Sequence, residues 1–277
     1  MTEMFSVAMC VYGGDDPQWF DRALESVTVG QIVKPKEIVL VVDGPIPETI
    51  ETVIEKYNDL FQGLQIDFKI VRFETNQGHG NARRASVDNS SYDIVALMDA
   101  DDVSFENRFK LQIELLKEKN VDVCGGYISE FIGEENNIVS YRKTPFENKD
   151  IVEYAKSRCP MNQVTVMFRK EAYYKAGGYI DWFWEEDYYL WLRMIKNGAT
   201  FANVEEVLVN VRVGEDMYKR RGGLKYYKSE KKLQKYMLKE HFIGFPKYVV
   251  NCLKRFIVQV LLPNKIRGWV FKKFARS

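Results

Sequence analysis

The chain has 277 residues, 46% of them apolar and 29% charged, with a net charge of +1. This composition excludes a disordered chain, supplies a core for one large α/β domain with or without an appendage, and shows no overall basic excess for nucleic acid. The charge is nevertheless uneven: eight bases and no acid follow Glu240, which leaves 32 bases against 39 acids up to that point.

Phe5–Tyr12 reads as a strand that stops at Gly13-Gly14-Asp15-Asp16-Pro17, a loop and helix start. Helical spacing follows over Phe20–Val29. Glu37–Val42 is a second strand, ending at Asp43-Gly44-Pro45. Glu48–Leu60 reads as a helix and Gln65–Phe73 as a third strand. Gly78–Val87 is a helix behind a Gly-containing turn, and Asp93–Met98 is a fourth strand. Ser104 is expected to cap a helix running to about Lys119. Alternation of this kind predicts a mostly parallel sheet covered on both faces. The pattern then changes. Val121–Ile132 and Ile138–Arg142 suit a hairpin, and Val164–Phe168 is a short strand followed by a helix ending at Gly177-Gly178. Tyr188–Ile195 is helical, Phe201–Val213 extended, and the chain from Leu224 onward helical and basic.

Cys10, Cys124, Cys159 and Cys252 are widely spaced and form no CxxC pair, so reduced thiols are expected rather than disulfides or a zinc site. Met1–Val11 lacks a basic n-region, so no signal peptide is expected. No segment reaches the ~18 uncharged apolar residues of a membrane span.

The most informative stretch is Ile94–Asp102, where an apolar run meets Asp99, Asp101 and Asp102. The carboxyl end of a strand is where open α/β sheets bind ligands. Asp99 and Asp101 fall on one side of an extended backbone, and two hard oxygen donors there suit Mg2+ or Mn2+ and a diphosphate. Asp102 is the acid expected to serve structure. Tyr12, Asp43, Asn76 and Asp99 all end strands and are expected along one cleft. Asn76–Arg84 opens a helix, whose N-terminal amides and Arg83 suit an anionic ligand. Arg83 occupies the place of a third glycine, so the stretch is not a dinucleotide fingerprint.

Trp182–Arg193 places Glu185, Glu186 and Asp187 side by side, which raises the pKa of at least one and suits a general base. The flanking tryptophans, Trp184 among them, offer flat faces to sugar rings. Val211–Gly223 is a charged, Gly-flanked loop that could act as a lid bringing Lys219, Arg220 or Arg221 onto phosphates. In the tail, Lys247, Asn251, Lys254, Arg255 and Gln259 recur at helical spacing beside apolar residues. Such a helix suits an anionic membrane surface, or packing on the domain or on a second subunit of an oligomer.

Taken in order, Val11-Tyr12, Val41-Val42-Asp43-Gly44, Asn76-x-Gly78-x-x-x-Ala82-Arg83, Met98-Asp99-Ala100-Asp101-Asp102 and Glu186-Asp187-Tyr188-x-Leu190-Trp191-Leu192-Arg193 resemble the motifs of family 2 glycosyltransferases of the GT-A fold. The bacterial enzymes that build capsular and extracellular polysaccharides are the nearest in pattern, over roughly residues 4–223. The resemblance implies an α/β GT-A domain over residues 1–223, with a nucleotide-binding half to about 103 and an acceptor half after it; the residue pattern adds a basic amphipathic helical tail over 224–277. The resemblance also implies inverting transfer of a hexose or N-acetylhexosamine from a UDP-sugar to a lipid-linked oligosaccharide, by a protein peripherally attached to the cytoplasmic face of the cell membrane. By the same resemblance Tyr12 and Asp43 contact the nucleobase with Arg83 nearby, and Asp99 holds ribose or base. Asp101 binds the Mn2+ or Mg2+, Asp187 is the base with Glu186 beside it, and Asn162 and Gln163 shape the acceptor pocket. Two positions depart from the pattern. Val42 stands where relatives have a first acid, and Arg212 is followed by Val213 and Gly214 where many carry a metal-binding His, which leaves Glu215 or Asp216 as substitutes. Two alternatives are nucleotidyl transfer, disfavoured by the acidic Gly13-Gly14-Asp15-Asp16 loop, and a catalytically silent subunit that binds a partner through the tail.

Overall fold

Apolar strands with no polar alternation need cover on both faces, and a parallel sheet between helices provides it. A computed structural model describes residues 3–214 and 222–263 of the chain. Strands β1 (Phe5–Val11), β2 (Glu37–Val42) and β4 (Ile94–Met98) are buried almost throughout, while β3 (Asp67–Arg72) is a half-exposed edge. These four lie parallel in the order β3-β2-β1-β4. Helices α1 (Pro17–Val27), α2 (Glu48–Leu64) and α3 (His79–Asp88) connect them. The strand order reverses between β2 and β4 around β1, so the carboxyl ends of these strands flank a crevice.

The sheet continues with mixed polarity. A three-residue strand β8 (Met167–Arg169) runs antiparallel to both β4 and β6 (Val123–Phe131). Strand β9 (Phe201–Arg212) is parallel to β6 and bulged against it near Tyr127, and the short β5 (Val103–Ser104) closes on β9. Strand β7 (Ile138–Arg142) pairs with β6 as the expected hairpin. Helices α4 (Arg108–Lys119), α5 (Asn148–Ala155), α6 (Lys170–Lys175) and α7 (Glu186–Lys196) complete this half. The GT-A-like mixed sheet expected from sequence is present.

Two local expectations fail for identifiable reasons. Ser104 does not cap α4. It pairs with Val209 in β5, its N–H donates to Ser26 Oγ, and its hydroxyl accepts from Gln31 Nε2. The run Val164–Phe168 begins as a 3-10 turn at Gln163–Thr165, because the Thr165 N–H and hydroxyl both donate to Asn162 O.

The tail forms α8 (Leu224–Lys239) and α9 (Phe245–Phe256), continued by a π turn at Ile257–Leu261. Leu233 and Met237 of α8, and Ile243 after it, pack with Trp182, Tyr188 and Leu192, so α8 sits against α7. The polarity of α9 is unexpected. Asn251 donates to Gln234 and to Lys156 O, Arg255 pairs with Glu230, and Gln259 donates to Glu230. Those polar side chains therefore face inward, where their partners lie on α8 and after α5. Phe245, Val250, Leu253, Ile257 and Leu261 face outward, each 47–66% exposed. No described helix is long and apolar enough to cross a membrane.

Candidate active site

Each parallel strand delivers one polar group to the crevice. At the end of β2, Asp43 accepts the N–H groups of Gln77 (2.6 Å) and Gly78 (3.1 Å), and Asn76 Nδ2 donates to its carbonyl. Asp43 thereby fixes the loop that starts α3. Gly44 (φ +86°) lies so close that a Cβ there would sit 2.6 Å from Asn76 N. At the end of β1, Tyr12 is exposed, and its N–H donates to Asp15 Oδ2. A side chain on Gly14 would collide with the Tyr12 ring, so glycine lets that ring lie across the loop.

Asp15 was legible only as a loop acid, yet it faces the acids of β4. Burial pushes its pKa up to about 6, and the charges of Asp101 and Asp99 add to the rise against the Tyr12 hydrogen bond. An acid in this loop opposes, rather than cradles, a triphosphate.

Arg83 joins the two halves of the site. From α3 its guanidinium donates to Asp99 Oδ1 (2.9 Å), to Glu186 Oε1 (3.1 Å) and to Gln163 Oε1 (3.2 Å). Burial alone would lower its pKa, but Asp99 and Glu186 outweigh that and hold it fully charged. Asp99 feels the converse. Burial would raise it, while Arg83, His79 and Arg108 hold it below the usual carboxylate range. Glu186 is raised to about 7 by burial and by Asp187, with Arg83 opposing. Asp187 itself is half-buried at the first turn of α7, its Oδ1 accepting the Tyr188 N–H. Glu186 and Asp187 thus sit side by side at a helix N-terminus, with Glu186 tied through Arg83 to the strand ends.

Removing Arg83 has a definite expected cost. Arg83→Met would leave Asp99 and Glu186 buried without their cation, which destabilises by about 3–5 kcal/mol. Urea denaturation would read this, and a loss below about 1 kcal/mol would show that water already screens the pair.

Two further arginines brace the acid-bearing loop. Arg108 is wholly buried behind β4, donating to Leu97 O (2.7 Å) and Gln112 Oε1. Burial lowers its pKa to about 9, while Cys124, Asp99 and Asp102 resist. Arg212 lies between the rings of Trp19 and Phe131 and donates to the carbonyls of Asp101 (3.2 Å) and Gly133 (3.0 Å). Its N–H goes to Asp102 Oδ1 (2.9 Å). Burial, then Asp101 and Asp99, push Asp102 up against the Arg212 hydrogen bond, and that bond ties it to the backbone of β9.

The structure thus brings Asp99, Glu186, Arg83 and Gln163 into direct contact, with Asp187, Asp101 and Asp15 beside them. Asn162 turns away. It donates to Gly126 O and Arg142 O and accepts from Arg142, so Gln163 is the member of that pair that reaches the site. Trp184 stands exposed on the turn before α7. Arg220 and Arg221, with Glu215 and Asp216, lie outside the described residues.

Among the described residues no group of three or more His, Cys, Asp or Glu is arranged to hold a metal by itself. The acidic surplus at Asp15 and Asp101 nevertheless suits a hard cation that takes its remaining oxygens from phosphates. The donor set therefore fits Mg2+ or Mn2+ shared with a nucleotide.

The chain is similar to known glycosyltransferases in sequence and fold. The model of the family described as "Glycosyl transferase family 2" matches residues 6–177, and that of "Glycosyl transferase family group 2" matches 94–270. The chain is 32% identical to the Escherichia coli "UDP-Gal:alpha-D-GlcNAc-diphosphoundecaprenol beta-1,3-galactosyltransferase", over 99% of this chain and 98% of that protein. It is 34% identical to the Erwinia amylovora "Amylovoran biosynthesis glycosyltransferase AmsE", over 98% of each. Among solved structures, S. aureus TarS 1-349 in complex with UDP-GlcNAc shares the fold with a TM-score of 0.66 at 17% identity, covering 92% of this chain and 72% of that one. The Pyrobaculum calidifontis mannosyltransferase PcManGT in complex with GDP-Man and Mn2+ does so at 0.64 and 13%, covering 96% and 72%. A family model that matches residues 6–177, with relatives 32–34% identical over nearly their full lengths, means that the chain belongs to glycosyl transferase family 2.

Proposed function

We propose that this glycosyltransferase moves a hexose or N-acetylhexosamine, with inversion, from a UDP-sugar to a hydroxyl of a lipid-linked oligosaccharide during polysaccharide biosynthesis. The observation that carries the reading is the Arg83 bridge. One guanidinium spans from Asp99 on the donor side to Glu186, the neighbour of Asp187, on the other. A nucleotide along the strand ends and a hydroxyl against α7 then meet in one crevice. The E. coli relative is named for a UDP-Gal donor and a diphosphoundecaprenol-linked acceptor, which supports both substrate classes.

In this reading the Tyr12 ring and the loop clamped by Asp43 receive the nucleobase, and Asp99, aligned by Arg83, receives the ribose or base. Asp101, its backbone pinned by Arg212, would hold Mn2+ or Mg2+ against the diphosphate. The cation supplies charge stabilisation to the leaving UDP. Asp187 takes the proton of the acceptor hydroxyl. The hydroxyl oxygen forms a bond to the anomeric carbon as the bond from that carbon to the phosphate oxygen breaks on the opposite face, and the electron pair leaves with UDP. Trp184 and Gln163 flank the acceptor. A screen of UDP-sugars by UDP release, with a lipid-diphosphate oligosaccharide acceptor and with Mn2+ or chelator, tests the reading. Acceptor-dependent release with one donor, lost in chelator, is expected. No release above hydrolysis with any donor refutes it.

The same reading places the protein on the cytoplasmic face of the cell membrane. The outward stripe of α9 is apolar, and the chain beyond Pro263 carries Lys265, Arg267, Lys272, Lys273 and Arg276 with no acid. Apolar burial combined with basic charge is what holds a helix in an anionic lipid interface. Leu253→Glu with Ile257→Glu should weaken binding to anionic vesicles by about tenfold or more, since each apolar side chain withdrawn removes about 1–2 kcal/mol. Unchanged co-sedimentation would mean that the stripe does not touch lipid.

A further inference from the structure

The turn that carries the candidate base is strained and is held from outside the nucleotide-binding half. Trp184, two residues before Glu186, has a φ of +60°. A bulky L-residue stays in that left-handed region only where its surroundings over-determine it. The two residues before Trp184 are held by the tail. Ser229 Oγ on α8 donates to Phe183 O at 2.6 Å. Lys225 and Lys232 place their ammonium groups 4.1 Å and 4.0 Å from the ring centres of Phe183 and Trp182. Glu185 is only 4% exposed.

Glu185 belongs to a buried polar network that crosses from the turn to both tail helices. Tyr226 hydrogen-bonds its carboxyl, and Glu230 and Arg255 face it. Burial and the charges of Glu230 and Asp187 push Glu185 far up, while Arg255 opposes them. Arg255 pairs with Glu230 and donates to Ser157 O (2.9 Å), and Gln259 Nε2 donates to Glu230 (2.9 Å). Without the guanidinium, two buried acids would face each other with Asp187 nearby, and the turn would have to shift or open.

We propose that Arg255 and Glu230 are positioning residues for sugar transfer: acting through Glu185, with Ser229 on Phe183, the C-terminal helices hold the turn that aims Asp187 at the acceptor. The inference rests on Asp187 being the base, and it makes the tail a part of the catalytic centre as well as a membrane attachment.

The test uses the full-length chain with Arg255→Ala, Arg255→Lys and Glu230→Gln, read by amide exchange and by steady-state kinetics. In Arg255→Ala, exchange over residues 183–187 should speed up about tenfold or more, while exchange over 95–99 in β4 stays as in the unaltered protein. The kcat should fall by about 10–100-fold with the donor KM within about twofold, since a misplaced base loses rate rather than nucleotide binding. Arg255→Lys should recover most of the kcat, because it restores the charge. If Arg255→Ala does not fold, Glu230→Gln, which keeps the arginine, should show the same selective effects at smaller size. Unchanged exchange at 183–187 overturns the proposal, as does faster exchange with an unaltered kcat. Absence of sugar transfer in the unaltered protein, with exchange still responding, would instead remove the reading of Asp187 as base and with it the catalytic role proposed here.

Discussion

Asp187→Asn is expected to lower kcat for sugar transfer by about 10³-fold, within the range typical of a lost general base, while UDP affinity stays within about twofold. The amide is nearly the same size as the carboxylate and can still accept the Tyr188 N–H, so α7 keeps its first turn. What disappears is the oxygen able to take a proton. Glu186 cannot readily substitute, because its carboxylate is engaged by Arg83 on the far side of the turn. Single-turnover transfer and UDP calorimetry on the same preparation separate the two effects. A kcat within tenfold of the unaltered enzyme would assign the proton to another group.

Asp101→Asn carries the second large effect. UDP affinity measured with Mn2+ should drop by about 10²-fold, to the level found in chelator, as the cation loses its one proposed protein carboxylate. The neighbouring acids are poor replacements. Asp99 is paired with Arg83, and Asp102 Oδ1 is engaged by the backbone N–H of Arg212. Asp15 is the exception, since it lies close enough to Asp101 for the two charges to repel. Affinity that persists in Asp101→Asn and collapses in Asp15→Asn would move the cation to the loop after β1.

Much of this was readable along the chain because the decisive signals are local. The apolar runs of β1, β2 and β4 stop at Tyr12, Asp43 and Asp99 without any knowledge of their neighbours. The hairpin of β6 and β7 declared itself by two strands around a polar connection. What stayed hidden depends on partners far off in sequence. Arg83 reads as one more cation for an anionic ligand until Glu186, 103 residues later, is seen against it. Asp15 looks like a loop acid until the β4 acids are placed beside it. Arg108 carries no local sign of full burial, and β8 is too short to announce that it joins β4 to β6. Periodicity showed that α9 is two-faced, but not which face looks inward. That depends on Glu230 and Gln234 of α8 and on the carbonyls of Lys156 and Ser157.

The reversed orientation of α9 also bears on how such a chain can drift through evolution. On an ordinary surface helix the hydrophilic positions wander and the oily ones are restrained. Here the outward apolar side chains meet no partner within the described chain, so under the proposed lipid contact Leu253, Ile257 and Leu261 can exchange among similar residues at little cost. Asn251, Arg255 and Gln259 each answer a particular partner and have few substitutes. Across descendants of this chain, the tail should vary most where it is greasy and least where it is hydrophilic.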